Sequence, residues 1–228
     1  MSRAAGPTGR PSEQRQDDPH AGQPVRTAGT PLDRATVAVV MVHGRGASAE
    51  SILSLAPALV MEGVAFLAPQ AAGGTWYPYG FMSPIDRNEP GITSGMRAIS
   101  CALDTIGGAG IPIERTLLLG FSQGACLATE FAARHARRYA GVAGLSGGLI
   151  GPDGTPRDYP GSLDGTPVFL GCSDVDGHIP AARVRESAEV LRRLGGDVTM
   201  RLYPGMGHLV NDDEIEAVRL MLAAALGR

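Results

Sequence analysis

The 228 residues predict an α/β fold, a mostly parallel central sheet with helices on both faces. Three observations lead there. Apolar strand-like runs alternate with helix-periodic segments from Thr36 to the C-terminus. The first clear run, Thr36-Val37-Ala38-Val39-Val40-Met41-Val42, is β-branched and almost continuously apolar, as a parallel strand buried on both faces requires. Finally, Leu117-Leu118-Leu119-Gly120-Phe121-Ser122-Gln123-Gly124-Ala125 reads as a strand that turns through Gly-x-Ser-x-Gly straight into a helix.

Taken in order, residues 1–23 hold Gly, Pro, Ser, Gln, Asp and Arg with almost nothing to bury, so a disordered tail is expected, His20 within it as a bystander. Residues 24–228 are long enough for one domain with a sizeable core. A short edge strand over 25–27 is bounded by Pro24 and by Gly29-Thr30-Pro31. The strand over 36–42 ends at His43-Gly44-Arg45-Gly46. Ser48 can cap a helix reaching about residue 62, which Pro57 should kink or start late. A strand over 64–67, a helix over 93–106, a strand over 116–119 and a helix over 123–135 follow. Strands over 141–145 and 167–171, a helix over 181–194, a strand over 198–203 and a helix over 212–226 complete the domain. The Gly/Pro-rich stretches 71–91 and 147–165 read as surface excursions.

Composition removes several function classes. With 20 basic and 23 acidic side chains the net charge is -3, which leaves no electrostatic footprint for nucleic acid. Arg134, Arg137 and Arg138 cluster on a helix as a solvated face. Three cysteines, Cys101, Cys126 and Cys172, form neither a disulfide framework nor a metal spacing, so no metal or other cofactor is expected. No apolar leader segment and no run of eighteen apolar residues occurs, so stable membrane insertion is not expected and the localisation reads as cytoplasmic.

A serine hydroxyl needs a base, and the base needs a carboxylate to fix its tautomer and stabilise its charged form. Gly120 and Gly124 make room for a strained turn that sets Ser122 at a helix N-terminus. Of five histidines, His208 is the best base, on the loop after the last strand. His135 fits a helix C-terminus, and His178 lies either near the site or idle on its loop. In Cys172-Ser173-Asp174-Val175-Asp176-Gly177-His178-Ile179-Pro180, either Asp174 or Asp176 could orient the base. The Asp-x-Asp-Gly fragment lacks the remaining ligands of a calcium loop. The order Ser, Asp, His is that of α/β hydrolases. For the oxyanion, the backbone N–H of Gln123 follows the nucleophile, and that of Arg45 lies on the loop after the first buried strand. His43 reads as a structural brace for that loop.

His43-Gly44-Arg45-Gly46, Gly120-Phe121-Ser122-Gln123-Gly124, Asp174-Val175-Asp176-Gly177-His178-Ile179-Pro180 and Gly207-His208 together resemble the four blocks of the phospholipase/carboxylesterase family of α/β hydrolases. The family includes acyl-protein thioesterases and small bacterial carboxylesterases. The likeness covers about residues 24–226. It implies an α/β-hydrolase fold without a large lid domain, Ser122 as nucleophile, Asp176 as orienting acid and His208 as base. Family members carry Pro after that aspartate where this chain has Gly177, with Pro180 keeping the register.

The implied substrate is a small-molecule carboxylic ester or thioester with a small to medium acyl group, cleaved through an acyl-enzyme. An acyltransferase, or a ligand-binding protein on a hydrolase scaffold, is the alternative, and a homodimer stays open. The loop 69–81 concentrates the only tryptophan with Tyr77, Tyr79 and Phe81 in a chain that is 5% aromatic. Trp76, Tyr77 and Phe81 are therefore expected to wall the acyl pocket, with a buried packing loop as the competing reading.

Overall fold

The computed structural model describes residues 18–228. Seven strands form one sheet: β1 (Val25–Gly29), β2 (Val37–Val42), β3 (Val64–Pro69), β4 (Thr116–Phe121), β5 (Gly141–Leu145), β6 (Pro167–Ser173) and β7 (Asp197–Tyr203). Their order is β1-β3-β2-β4-β5-β6-β7. Only β1 runs antiparallel, pairing Val25 with Pro69 through Gly29 with Ala65, and it covers the edge of β3. Among the described residues six α-helices accompany the sheet: α1 (Ala49–Leu53), α2 (Ala56–Leu59), α3 (Gly91–Gly108), α4 (Gln123–Arg134), α5 (Ala181–Arg193) and α6 (Asp212–Leu226).

The alternation of side chains explains the two-sided core. In β2, Ala38, Val40 and Val42 join a cluster with Ile92, Ile99, Leu127 and Val184 from α3, α4 and α5. Val37, Val39 and Met41 point the other way, onto Ile52, Leu59, Val218 and Leu222 of α1, α2 and α6. Every residue of β2 is fully buried, which is worth about 1.5–3 kcal/mol for each larger apolar side chain. At the far edge, β7 alternates exposed and half-buried residues because only one face is covered.

Two expectations need correction. The helix foreseen from Ser48 to about residue 62 is two short pieces, with the break at Ser54 and Leu55. Pro57 has no N–H to continue the ladder and falls in the first turn of α2, where none is needed. The foreseen tail lies outside the described residues up to position 17, but residues 18–23 turn back onto the domain. His20 is buried: its backbone N–H donates to Ser94 Oγ at 2.9 Å, its Nδ1 accepts from Ala72 N at 3.1 Å, and its Nε2 donates to the Trp76 carbonyl at 2.9 Å. Desolvation lowers its pKa, so the ring is held as a neutral brace.

The sheet order reverses between β2 and β4, since β3 lies on one side of β2 and β4 on the other. In open α/β sheets the crevice beyond the strand ends at such a switch point receives ligands. Both the His43–Gly46 loop and Ser122 emerge there.

Candidate active site

Ser122 sits between β4 and α4 with φ 55° and ψ -121°, a left-handed conformation that costs a non-glycine residue roughly 1–3 kcal/mol. The flanking glycines make this turn physically feasible. A Cβ on Gly120 would lie 2.2 Å from the Gly124 carbonyl oxygen, and one on Gly124 would lie 2.1 Å from the Val42 carbonyl oxygen. Such crowding draws the N-terminus of α4 against the end of β2, so that Gly44 passes next to Ser122.

Three loops meet at the serine. His208 Nε2 is 2.8 Å from Ser122 Oγ, and His208 Nδ1 is 2.7 Å from Asp176 Oδ2. Asp176 Oδ1 accepts from the backbone N–H groups of His178 at 2.8 Å and Ile179 at 3.0 Å. Burial alone would raise the Asp176 pKa, but the bonds from the His208 ring and these two N–H groups outweigh it and hold the carboxyl below its usual range. An ionised carboxylate offers no proton, so His208 carries its hydrogen on Nδ1 and leaves Nε2 as the acceptor for the serine hydroxyl.

Asp174, the other carboxylate in that loop, accepts from Gly205 N at 2.8 Å instead. It steadies the turn before His208. Gly177, where the family pattern has proline, has no atom within 4 Å of the place a Cβ would take. His178 stands with its ring 4.7 Å from that of His208 and lines the cleft, which places it near the site.

The other expected residues divide. Gln123 is buried, and its side chain bridges the loop after β3: Oε1 accepts from Trp76 N at 3.0 Å and Nε2 donates to the Tyr77 carbonyl at 2.8 Å. This leaves its backbone N–H beside Ser122 at the start of α4. Arg45 is exposed, on the turn following Gly44. Its side chain had no assigned part in the sequence reading, yet it ties the two loops by donating to the carbonyls of Tyr77, Pro78 and Tyr79. Asn88 was also missed: buried, it accepts from Tyr79 N at 2.8 Å and donates to the Gly80 carbonyl at 3.0 Å. A lone Asn in a Gly/Pro-rich stretch gives no sign of this.

Tyr77 and Phe81 line a cleft of about 300 Å³ together with Ser122, Cys126, Ile179 and His208. Trp76 does not. Its ring is wholly buried, its Nε1 donates to the His43 carbonyl at 2.8 Å, and it stands between His43 and His20. It packs beneath the cleft floor, and the expected contact with substrate is replaced by a structural one. His43 is the brace foreseen, buried, with Nε2 accepting from Ala71 N at 3.1 Å. Cys172, 3.6 Å from Asp176 Oδ2, is a buried thiol whose pKa is pushed up to about 12 by burial and by that carboxylate, so it stays protonated.

Glu214 lies behind β6. Its Oε2 accepts from Asn211 N to close a capping box, while Oε1 is buried without a hydrogen bond. Burial raises its pKa to about 7, against the bond from Asn211 N. Between the unfolded value near 4.5 and 7, the native state keeps a proton that the unfolded chain has lost, so this group erodes stability as pH rises through that window. Glu214→Gln keeps the capping geometry. It is expected to raise the melting temperature at pH 8 and to leave it nearly unchanged at pH 4.5, read from thermal melts at both.

The seven-stranded sheet, its switch-point crevice and the strand-turn-helix around Ser122 are those of an α/β hydrolase. The profile of the phospholipase/carboxylesterase family matches residues 27–226, and the chain belongs to that family. A phospholipase/carboxylesterase from Dyadobacter fermentans, known as a crystal structure, is 40% identical and superposes with a TM-score of 0.84, covering 88% of this chain and 96% of that one. Acyl-protein thioesterase 1 of Emericella nidulans is 27% identical over 219 residues, 84% of this chain and 91% of that protein. Acyl-protein thioesterase 1 of Gibberella zeae is 35% identical over 121 residues, so the match spans 52% of this chain and about half, 51%, of that relative. Among the described residues no helix is long and apolar enough to cross a membrane.

Proposed function

We propose that the chain is a serine hydrolase that cleaves small-molecule carboxylic esters or thioesters through an acyl-enzyme. The observation that supports this most is the unbroken line from Asp176 through His208 to Ser122, with both contacts at 2.7–2.8 Å. In acylation, Ser122 Oγ attacks the substrate carbonyl carbon while His208 Nε2 takes the hydroxyl proton. Asp176 stabilises the imidazolium that results. The N–H groups of Gln123 and Arg45 hold the oxyanion, each contributing about 3–4 kcal/mol in sites of this kind. His208 then returns the proton to the departing alcohol or thiol, the carbon–oxygen or carbon–sulfur bond breaks, and water repeats the sequence on the acyl-serine.

The cleft, at about 300 Å³ with Tyr77, Phe81, Cys126 and Ile179 around it, suits short to medium acyl groups. Three free thiols suit a reducing, cytoplasmic setting. A fluorophosphonate probe tests the nucleophile directly. The expected result is a single phosphonyl adduct on Ser122 located by peptide mass spectrometry; adduct formation elsewhere, or none, would overturn the assignment.

A further inference from the structure

We infer that the Arg45 guanidinium is an anion-recognition group of this cleft, taking a carboxylate or phosphate carried by the substrate. The inference rests on the hydrolase reading and narrows its substrate class to negatively charged esters.

Its first support is the state of the side chain. A guanidinium has five N–H donors. In Arg45, Nη1 donates to the Pro78 carbonyl at 2.8 Å, and Nη2 donates to the carbonyls of Tyr77 at 2.9 Å and Tyr79 at 2.6 Å. These partners fix the fork in place but bring no net negative charge. None of the ion pairs among the described residues includes Arg45. The group is thus an oriented cation with donors to spare, exposed at a cleft that also holds Ser122. An arginine already immobilised loses little further entropy when it binds a planar or tetrahedral oxyanion.

The second support is the charge of the surroundings. No Asp or Glu lines the cleft, whereas Arg45, His178 and His208 do. Asp176 is close, but its side chain is 0% exposed and its oxygens are taken by His208 and two backbone N–H groups. Arg87 lies over the phenol ring of Tyr79 at 4.3 Å, on the loop whose carbonyls hold the Arg45 guanidinium, though it does not itself line the cleft. Asp86 also sits on that loop, with Oδ1 accepting from the Arg87 backbone N–H at 2.9 Å. A chain with a net charge of -3 therefore presents an active cleft whose lining carries no anion, and apolar walls concentrate such a field on a bound substrate. A brace for loop 77–79 alone would not need an acid-free lining.

Two matched pairs of esters distinguish where the anion is carried. Mono-4-nitrophenyl adipate against 4-nitrophenyl hexanoate places a carboxylate on the acyl side, and 4-acetoxybenzoate against 4-acetoxybenzamide places it on the leaving phenol. The expected result is that one anionic ester exceeds its neutral partner in kcat/KM by about tenfold or more. The advantage should shrink as ionic strength rises from about 0.01 M to about 0.5 M. Arg45→Gln should bring the ratio to near unity, whatever it does to both esters through the loop. Arg45→Lys, which keeps the charge and loses the three-carbonyl fork, should retain part of it.

Equal rates within both pairs for the native chain, or a preference that survives in Arg45→Gln, would overturn the inference while leaving the hydrolase reading intact. If no ester turns over, it is the hydrolase reading that has failed. The anion site is then read by calorimetric titration with 4-hydroxybenzoate: binding by the native chain that weakens at least tenfold in Arg45→Gln upholds it, and equal or absent binding overturns it.

Discussion

Ser122→Ala is expected to lower kcat for 4-nitrophenyl butyrate by about 10⁵-fold or more, the scale on which nucleophile removal acts in serine hydrolases. The loss follows because the other hydroxyl and thiol lining the cleft stay protonated: burial pushes the Cys126 thiol up to about 12 and holds the Tyr77 hydroxyl well above its usual value. The fold should scarcely notice. Alanine at φ 55° carries the same backbone strain as serine, and among the described residues the hydrogen bond lost is the 2.8 Å one to His208. A melting temperature within about 2 °C of the parent is expected. Stopped assays against 4-nitrophenyl butyrate beside a thermal melt check both halves, and turnover at even a hundredth of the parental rate would remove Ser122 from the mechanism.

Gly124→Ala should do the reverse and break the architecture that positions the serine. The added Cβ would lie 2.1 Å from the Val42 carbonyl oxygen and 2.5 Å from that of His43. Both are backbone atoms at the end of a wholly buried strand, so neither can swing aside. Either α4 lifts from the sheet or the His43–Gly46 loop moves, with a loss of about 3 kcal/mol or more and a fall in melting temperature of roughly 6–12 °C. Hydrolysis should fall with it, since Gly44 and Arg45 lie on that loop. Gly107→Ala, near the end of α3 with nothing within 4 Å, is the control and should be neutral to stabilising. A Gly124→Ala chain as stable and active as the control would contradict the close approach of α4 to β2.

The sheet was legible because its strands are buried on both faces, so that stretches such as 37–42 and 117–119 carry an uninterrupted apolar signal. The proposed triad residues were legible for a different reason. Each stands just after a strand, and in a parallel sheet those positions converge at one edge whatever lies between them. What stayed hidden depends on contacts distant in sequence. His20 is surrounded by polar residues along the chain, and its burial comes from Ser94 and Trp76, 74 and 56 residues away. The aromatic loop was conspicuous, but counting rings does not tell which side of the backbone each occupies: Trp76 turned inward beneath the floor, and Phe81 turned to the cleft. The Arg45 side chain gave no sign in the sequence because its partners are backbone carbonyls more than thirty residues away, which no residue type marks. The residues alone left Asp174 and Asp176 open as the partner of His208; the family resemblance favoured Asp176, and it is the Asp176 carboxylate that lies 2.7 Å from the imidazole.

The docking of residues 18–23 changes what counts as the beginning of this enzyme-like domain. Shaving the chain back to Pro24 would discard a prop: the Trp76 carbonyl, the Ala72 N–H and the Ser94 hydroxyl would all lose the partner they have in His20. The Trp76 indole, whose ring stands between those of His20 and His43, would keep only the second of these two ring neighbours.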